Sequence, residues 1–163
     1  MRLEGSCHCG AVKFSVEAES PVPYLRCYCS ICRKVAGGGG YAINLGADFT
    51  TLAIEGADAI RVYETSPDAS TEGTICGRRF CGQCGSALWH YDPTWPDLVH
   101  PFASAIDTDL PAPPASVHIM LASKANWVTV AAGPDDEVYA NYPGESLAEW
   151  HARHGFANDT DPD

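Results

Sequence analysis

GSCHCGAVKF, residues 5–14, sets two cysteines around a histidine and two glycines around the cysteines. Its partner in the sequence is RRFCGQCGSAL, residues 78–88, where Cys81 and Cys84 stand two residues apart with a glycine after each. Glycines at those places let the backbone turn tightly enough for both sulfurs of a knuckle to face one point. A knuckle supplies two ligands, and a structural zinc ion takes four. In an extended segment Cys7 and Cys9 point the same way while His8 points away. The expectation is therefore one closed site of Cys7, Cys9, Cys81 and Cys84 that ties the start of the chain to a segment some seventy residues later. Such a site can contribute on the order of 10 kcal/mol to folding.

The other cysteines are Cys27, Cys29 and Cys32 in RCYCSICRK, and Cys76. A turn after Ser30 can bring Cys32 round to Cys27 and Cys29, giving three ligands within six residues. Three readings stay open on spacing alone: a second structural zinc with a distant fourth ligand, a metal with one position left for substrate, or no metal. Arg33 and Lys34 follow at once, and Arg78 and Arg79 precede the knuckle. These four are candidate contacts for an anionic substrate. Cys76 is expected to be a buried structural thiol on the opposite face of its strand from Cys81.

Outside the clusters, short strand signals dominate: 11–18, 41–45, 59–65, 73–80, 86–91, 98–106, 115–121 and 127–132. Gly- and Pro-rich connections separate them, and the expected class is mainly β, built of short antiparallel strands. A helical turn is expected through SICRKV. Ser146 and Glu149 have capping-box spacing ahead of a short C-terminal helix, LAEWHARH, with Gly155 as its stop. The expected organisation is a zinc-binding domain over 3–132, an extension over 133–155 whose helix packs on it, and a disordered acidic tail over 156–163.

The 163 residues carry a formal charge of −11, which argues against a nucleic-acid partner. No apolar run is long enough for a membrane span, and no signal-peptide core opens the chain. Eight cysteines without an export signal favour metal over disulfides and a cytoplasmic setting. His118 reads as a satisfied strand histidine, as do His8, His90 and His100. Asp135 and Asp136, like Asp107 and Asp109, read as solvated turn residues.

Taken jointly, GSCHCGAVKF, CYCSICRK and RRFCGQCGSAL, with a fainter echo in AIDTDLPAPPASVHIML and Trp127, resemble the family of glutathione-dependent formaldehyde-activating enzymes, whose domain is shared with centromere protein V. The resemblance implies a zinc-stabilised β-tent fold. It implies a structural zinc on Cys7, Cys9, Cys81 and Cys84, and a labile catalytic zinc on Cys27, Cys29 and Cys32. It implies a carbon–sulfur lyase-type enzyme that condenses glutathione or another small thiol with formaldehyde to S-hydroxymethylglutathione. The residue between the first two middle cysteines is commonly histidine in that family and is Tyr28 here. Two other functions compete: a non-catalytic zinc-stabilised β module that binds a protein partner, and a thiol reservoir for redox or metal handling. The sequence leaves the oligomeric state open.

Overall fold

A computed structural model describes residues 1–65 and 76–156 of the chain. The described strands are β1 (Arg2–Ser6), β2 (Lys13–Glu17), β3 (Tyr24–Cys27), β4 (Ala42–Asn44), β5 (Ala47–Asp48), β6 (Ala53–Glu55), β7 (Ile60–Thr65), β8 (Cys76–Cys81), β9 (Ala87–Tyr91), β10 (Leu98–Pro101), β11 (Ser116–Ile119) and β12 (Glu137–Val138). The α-helices among the described residues are α1 (Ser30–Val35) and α2 (Leu147–His154), accompanied by four short 3-10 turns. The strands form three sheets, ordered β1-β2-β6, β5-β10-β9-β8-β7 and β12-β11-β3-β4. The fold is mainly β, as the alternating short segments require.

Most pairings are antiparallel, but β11 runs parallel to both β3 and β12. All four residues of β11 are buried, as befits a strand covered on both faces. In the first sheet, Gly5 lies opposite Phe14. A Cβ on Gly5 would sit 2.4 Å from the phenylalanine ring, so this glycine is set by close packing. Leu3, Val16, Leu45, Leu88, Trp89 and Val99 fill the core between the first two sheets. A second core joins Val22, Phe102, Val117 and Ile119 to Trp150 of α2.

The C-terminal helix forms as its sequence dictates. Ser146 Oγ accepts from the Glu149 N–H, the Glu149 carboxylate accepts from the Ser146 N–H, and Gly155 ends the helix at φ 73°. Trp150 is buried, and the His151 ring hydrogen-bonds to the Val22 carbonyl. Glu137 of β12 accepts from Trp150 Nε1 at 3.0 Å and pairs with Arg153, fastening the helix to the third sheet.

The strand expected over 127–132 does not form. Val128 donates to Ala125 in a turn, and Lys124 Nζ donates to the Ala125 and Val128 carbonyls, taking groups a ladder would need. The hydrophobic alternation there serves a loop laid on Gly40, where a Cβ would meet Val128 at 2.2 Å. The strand expected over 98–106 stops at Pro101 and gives way to a 3-10 turn, Ala103–Ala105. The acidic tail, from residue 157 on, and the start of the strand expected from 73 lie outside the described residues.

Candidate metal centres

The first cluster is assembled by two facing turns. After β1, Gly10 donates to the Cys7 carbonyl at 3.0 Å with φ 76°, and Cys7 donates to Val12. After β8, Gly85 donates to the Cys81 carbonyl at 2.8 Å with φ 77°. Cys9 therefore reaches its partners through a turn, not through the strand alternation expected for residues 7–9. The sulfurs of Cys7 and Cys9 lie 3.5 Å apart and those of Cys9 and Cys81 3.8 Å. All four ligand atoms, with Cys84, fall within 4.8 Å of one another. A tetrahedron with arms of about 2.3 Å has edges of about 3.8 Å, so the spacing fits a zinc ion. Cys7 and Cys81 are buried while Cys9 and Cys84 are exposed. The Ser86 hydroxyl, 3.2 Å away, leads the hydrogen bonds that pull the Cys84 thiol down to about 5.

The second cluster is set by a strand end and a helix start. Cys27 closes β3, Cys29 is the N-cap of α1, and Cys32 sits in its first turn, donating its N–H to the Cys29 sulfur at 3.3 Å. Capping by sulfur explains why three cysteines in this spacing converge: the cap needs Cys29 extended while the turn carries Cys32 back. The three ligand atoms lie within 4.8 Å of one another. Hydrogen bonds from Cys27 first and Cys32 second hold the Cys29 thiol down to about 2, and the same bond from Cys29 pushes the Cys27 thiol far up. A cation among the three sulfurs would favour the ionised form of each. The donor set fits a divalent, thiolate-loving metal such as zinc.

What distinguishes the two clusters is access. A cavity of about 920 Å³ opens against Cys27, Cys29 and Cys32, and the sulfurs of the first cluster are not on its wall. Part of its wall is formed by α2 and the segment that leads into it, including Leu147 and Trp150 of the helix and Tyr142 before it. The extension is therefore part of the cavity. His90 and His100 also line it, their rings stacked 4.6 Å apart. His100 donates Nδ1–H to the Leu45 carbonyl at 3.0 Å, and burial lowers its pKa.

Of the four cations expected to meet substrate, Arg78 lines the cavity; Arg33, Lys34 and Arg79 do not. Strand alternation separates the adjacent pair: Arg79 donates to the Gly77 carbonyl and lies over the Tyr91 ring. Arg78 is 5% exposed. Its Nη2 is 3.5 Å from the Cys32 sulfur and its Nη1 3.3 Å from the Cys76 sulfur. Cys76 is half-buried and faces the cavity, 3.7 Å from His90 Nδ1, instead of being a sealed packing residue.

His118 is fully buried and satisfied on both nitrogens, as read from its strand position. Its Nε2 donates to Asp136 at 3.2 Å, leaving Nδ1 to accept from the Tyr28 hydroxyl at 2.9 Å. Asp136 is no solvated turn residue, since it also accepts from the Ser116 and Gly133 N–H groups at 2.7 and 2.9 Å. These bonds, which outweigh its own burial, lower its pKa. Asn44, buried and 4.0 Å from the Cys32 sulfur, was not singled out by the sequence. A polar residue at an inward position of the run YAINL was the available signal.

The family model described as glutathione-dependent formaldehyde-activating enzyme matches residues 2–123. A curated protein of Halomonas elongata, provisionally named as a glutathione-dependent formaldehyde-activating enzyme, is 57% identical over 156 residues, covering 96% of this chain and 98% of its own. A crystal structure of a Rhodobacter sphaeroides protein superposes with a TM-score of 0.53 at 28% identity, covering 68% of this chain and 92% of that one.

Proposed function

The chain belongs to the glutathione-dependent formaldehyde-activating enzyme family, and from that premise we propose that it is a zinc-dependent enzyme that joins a small thiol, glutathione in the first instance, to formaldehyde. Run backward, the reaction is a carbon–sulfur lyase step. The observation that carries this reading is the contrast between the clusters: Cys27, Cys29 and Cys32 line the cavity, and Cys7, Cys9, Cys81 and Cys84 stand outside it.

In this scheme the four-cysteine cluster holds a structural zinc, and the middle three hold a second one by three protein ligands. Zinc at the second place would supply Lewis acidity that keeps an incoming thiol ionised at neutral pH. The thiolate sulfur attacks the formaldehyde carbon, a C–S bond forms, and the carbonyl π electrons move to oxygen, which takes up a proton to give the hydroxymethyl thioether. Cys27, Cys29 and Cys32 act as ligands and never as nucleophiles. The cavity wall brings two dissolved reactants together in one enclosed volume, and much of the acceleration would come from that proximity. A reducing, cytoplasmic setting suits eight unpaired thiols.

The test is direct. Zinc-loaded protein is mixed with glutathione and isotopically labelled formaldehyde, and S-hydroxymethylglutathione formation is followed by NMR beside the uncatalysed rate. Cys29→Ser should keep the fold and one zinc while losing the acceleration. No acceleration by the wild type with any small thiol, together with one zinc per chain, would leave a zinc-stabilised binding module instead.

A further inference from the structure

We propose that Arg78 is the counter-charge of the buried thiolate site, held in place by Cys76, and not a clamp for substrate carboxylates. This rests on the metal-binding reading of Cys27, Cys29 and Cys32. The two cysteine clusters differ in how their charge can be balanced. Four thiolates around a divalent cation leave two negative charges, and in the first cluster the exposed Cys9 and Cys84 let water solvate them. Three thiolates around the same cation leave one, but here Cys27 and Cys32 are 3% and 2% exposed. Little water reaches those two sulfurs, and the half-buried Cys29 is the most open of the three, so a protein cation beside them is the nearest source of opposite charge.

Arg78 is the cation in position. It is 5% exposed, and none of the ion pairs among the described residues involves it. A buried guanidinium ordinarily pairs with a carboxylate; this one turns both arms to sulfur, at 3.5 Å to Cys32 and 3.3 Å to Cys76. Cys76 and Arg78 share a strand face at i, i+2 in β8, so Cys76 grips one arm while the other reaches the ligand. Asn44 adds a weaker, uncharged donor to the same sulfur at 4.0 Å. Arg33, Lys34 and Arg79 do not reach the wall and cannot substitute. Both terminal nitrogens are turned to sulfur and only the buried Nε is left without a partner, so the two-armed fork that a carboxylate takes is already committed.

The experiment measures metal before activity. Wild type, Arg78→Gln, Arg78→Lys and Cys76→Ala holoproteins are titrated against a chromophoric zinc chelator, and the second site is also loaded with cobalt(II). Wild type should hold two zinc ions. Arg78→Gln should weaken one of them about 10–100-fold, the usual effect of losing a partner just behind a metal ligand, and leave the other alone. Arg78→Lys should recover most of that loss. The thiolate-to-cobalt charge-transfer band should move in Arg78→Gln and return in Arg78→Lys, and Cys76→Ala should change affinity in the same direction by less. The proposal is overturned if Arg78→Gln keeps both zincs at wild-type affinity. It is equally overturned if that variant only raises KM for glutathione and not for cysteamine, which has no carboxylate. A wild type that holds one zinc overturns the metal reading beneath it, a result distinguishable because it appears before any variant is made.

Discussion

Replacing Cys9 by serine probes the clamp with little packing change, because Cys9 is exposed while its partner Cys81 is completely buried. The sulfur bridge from Cys9 to Cys81 spans a sequence separation of 72 residues. Closing a loop of that length removes about 4 kcal/mol of denatured-state entropy in the chain-entropy model. Loss of a structural zinc as a whole can reach on the order of 10 kcal/mol. A domain's entire net stability is about 5–15 kcal/mol, so the lower figure alone is severe. At roughly 2–4 °C per kcal/mol for a chain of this size, Cys9→Ser should melt at least about 8 °C below wild type. Thermal unfolding by circular dichroism, with and without a strong chelator, gives the comparison. The chelator should bring wild type down toward the variant and move the variant little. Cys81→Ser adds the cost of a buried hydroxyl, yet the double variant should lose far less than the sum of the singles, because both remove one site. A Cys9→Ser protein that melts within about 2 °C of wild type and keeps two zincs would refute the clamp.

Three further outcomes follow from the same geometry. Cys29→Ser should retain the melting behaviour set by the first cluster and lose one zinc and the thiol–formaldehyde rate; equal zinc content and equal rate would contradict the open-site role. His118→Ala breaks a buried chain that joins Tyr28, between two of the cavity cysteines, to Asp136. The orphaned polar groups should cost about 1–3 kcal/mol in denaturant unfolding, and an unchanged midpoint would mean water replaces the imidazole without loss. Hydrogen bonds from Tyr139, Arg153 and Trp150, in that order, overcome burial and hold the Glu137 carboxyl down to about 2, below its ordinary 4.5. Its stabilisation is therefore complete above about pH 4.5 and lost as pH falls toward 2. Tryptophan fluorescence should report release of α2 across that window, and Glu137→Gln should flatten the response.

The grouping of the cysteines was readable because metal ligation demands few, closely spaced residue types, and here they recur as CHC, CYCSIC and CGQC; the turn that brings Cys9 to its partners was not. The C-terminal helix was readable to the residue, since Ser146, Glu149 and Gly155 each fix a backbone group locally. Long-range choices were not. Whether β11 pairs parallel with β3 depends on the whole path between them, and nothing in SVHI announces it. The apolar alternation of WVTVAA matches a strand equally well as a loop, and the lysine that takes the Val128 carbonyl lies before it. Direction was the other hidden quantity. Arg78 and Arg79 are neighbours in sequence, but strand register sends one to the cavity and the other to Tyr91. Asp136 reads as a turn residue because its role lies in contacts made across the fold.

X-ray absorption at the zinc edge on the purified protein, alone and with a bound thiol, probes the two-site arrangement most directly. Two zincs per chain are expected, one in four-sulfur coordination at about 2.3 Å and one with three sulfurs plus a lighter atom that gives way to a fourth sulfur when thiol is added. A single four-sulfur zinc, or a spectrum that thiol leaves unchanged, would contradict an open site in the cavity.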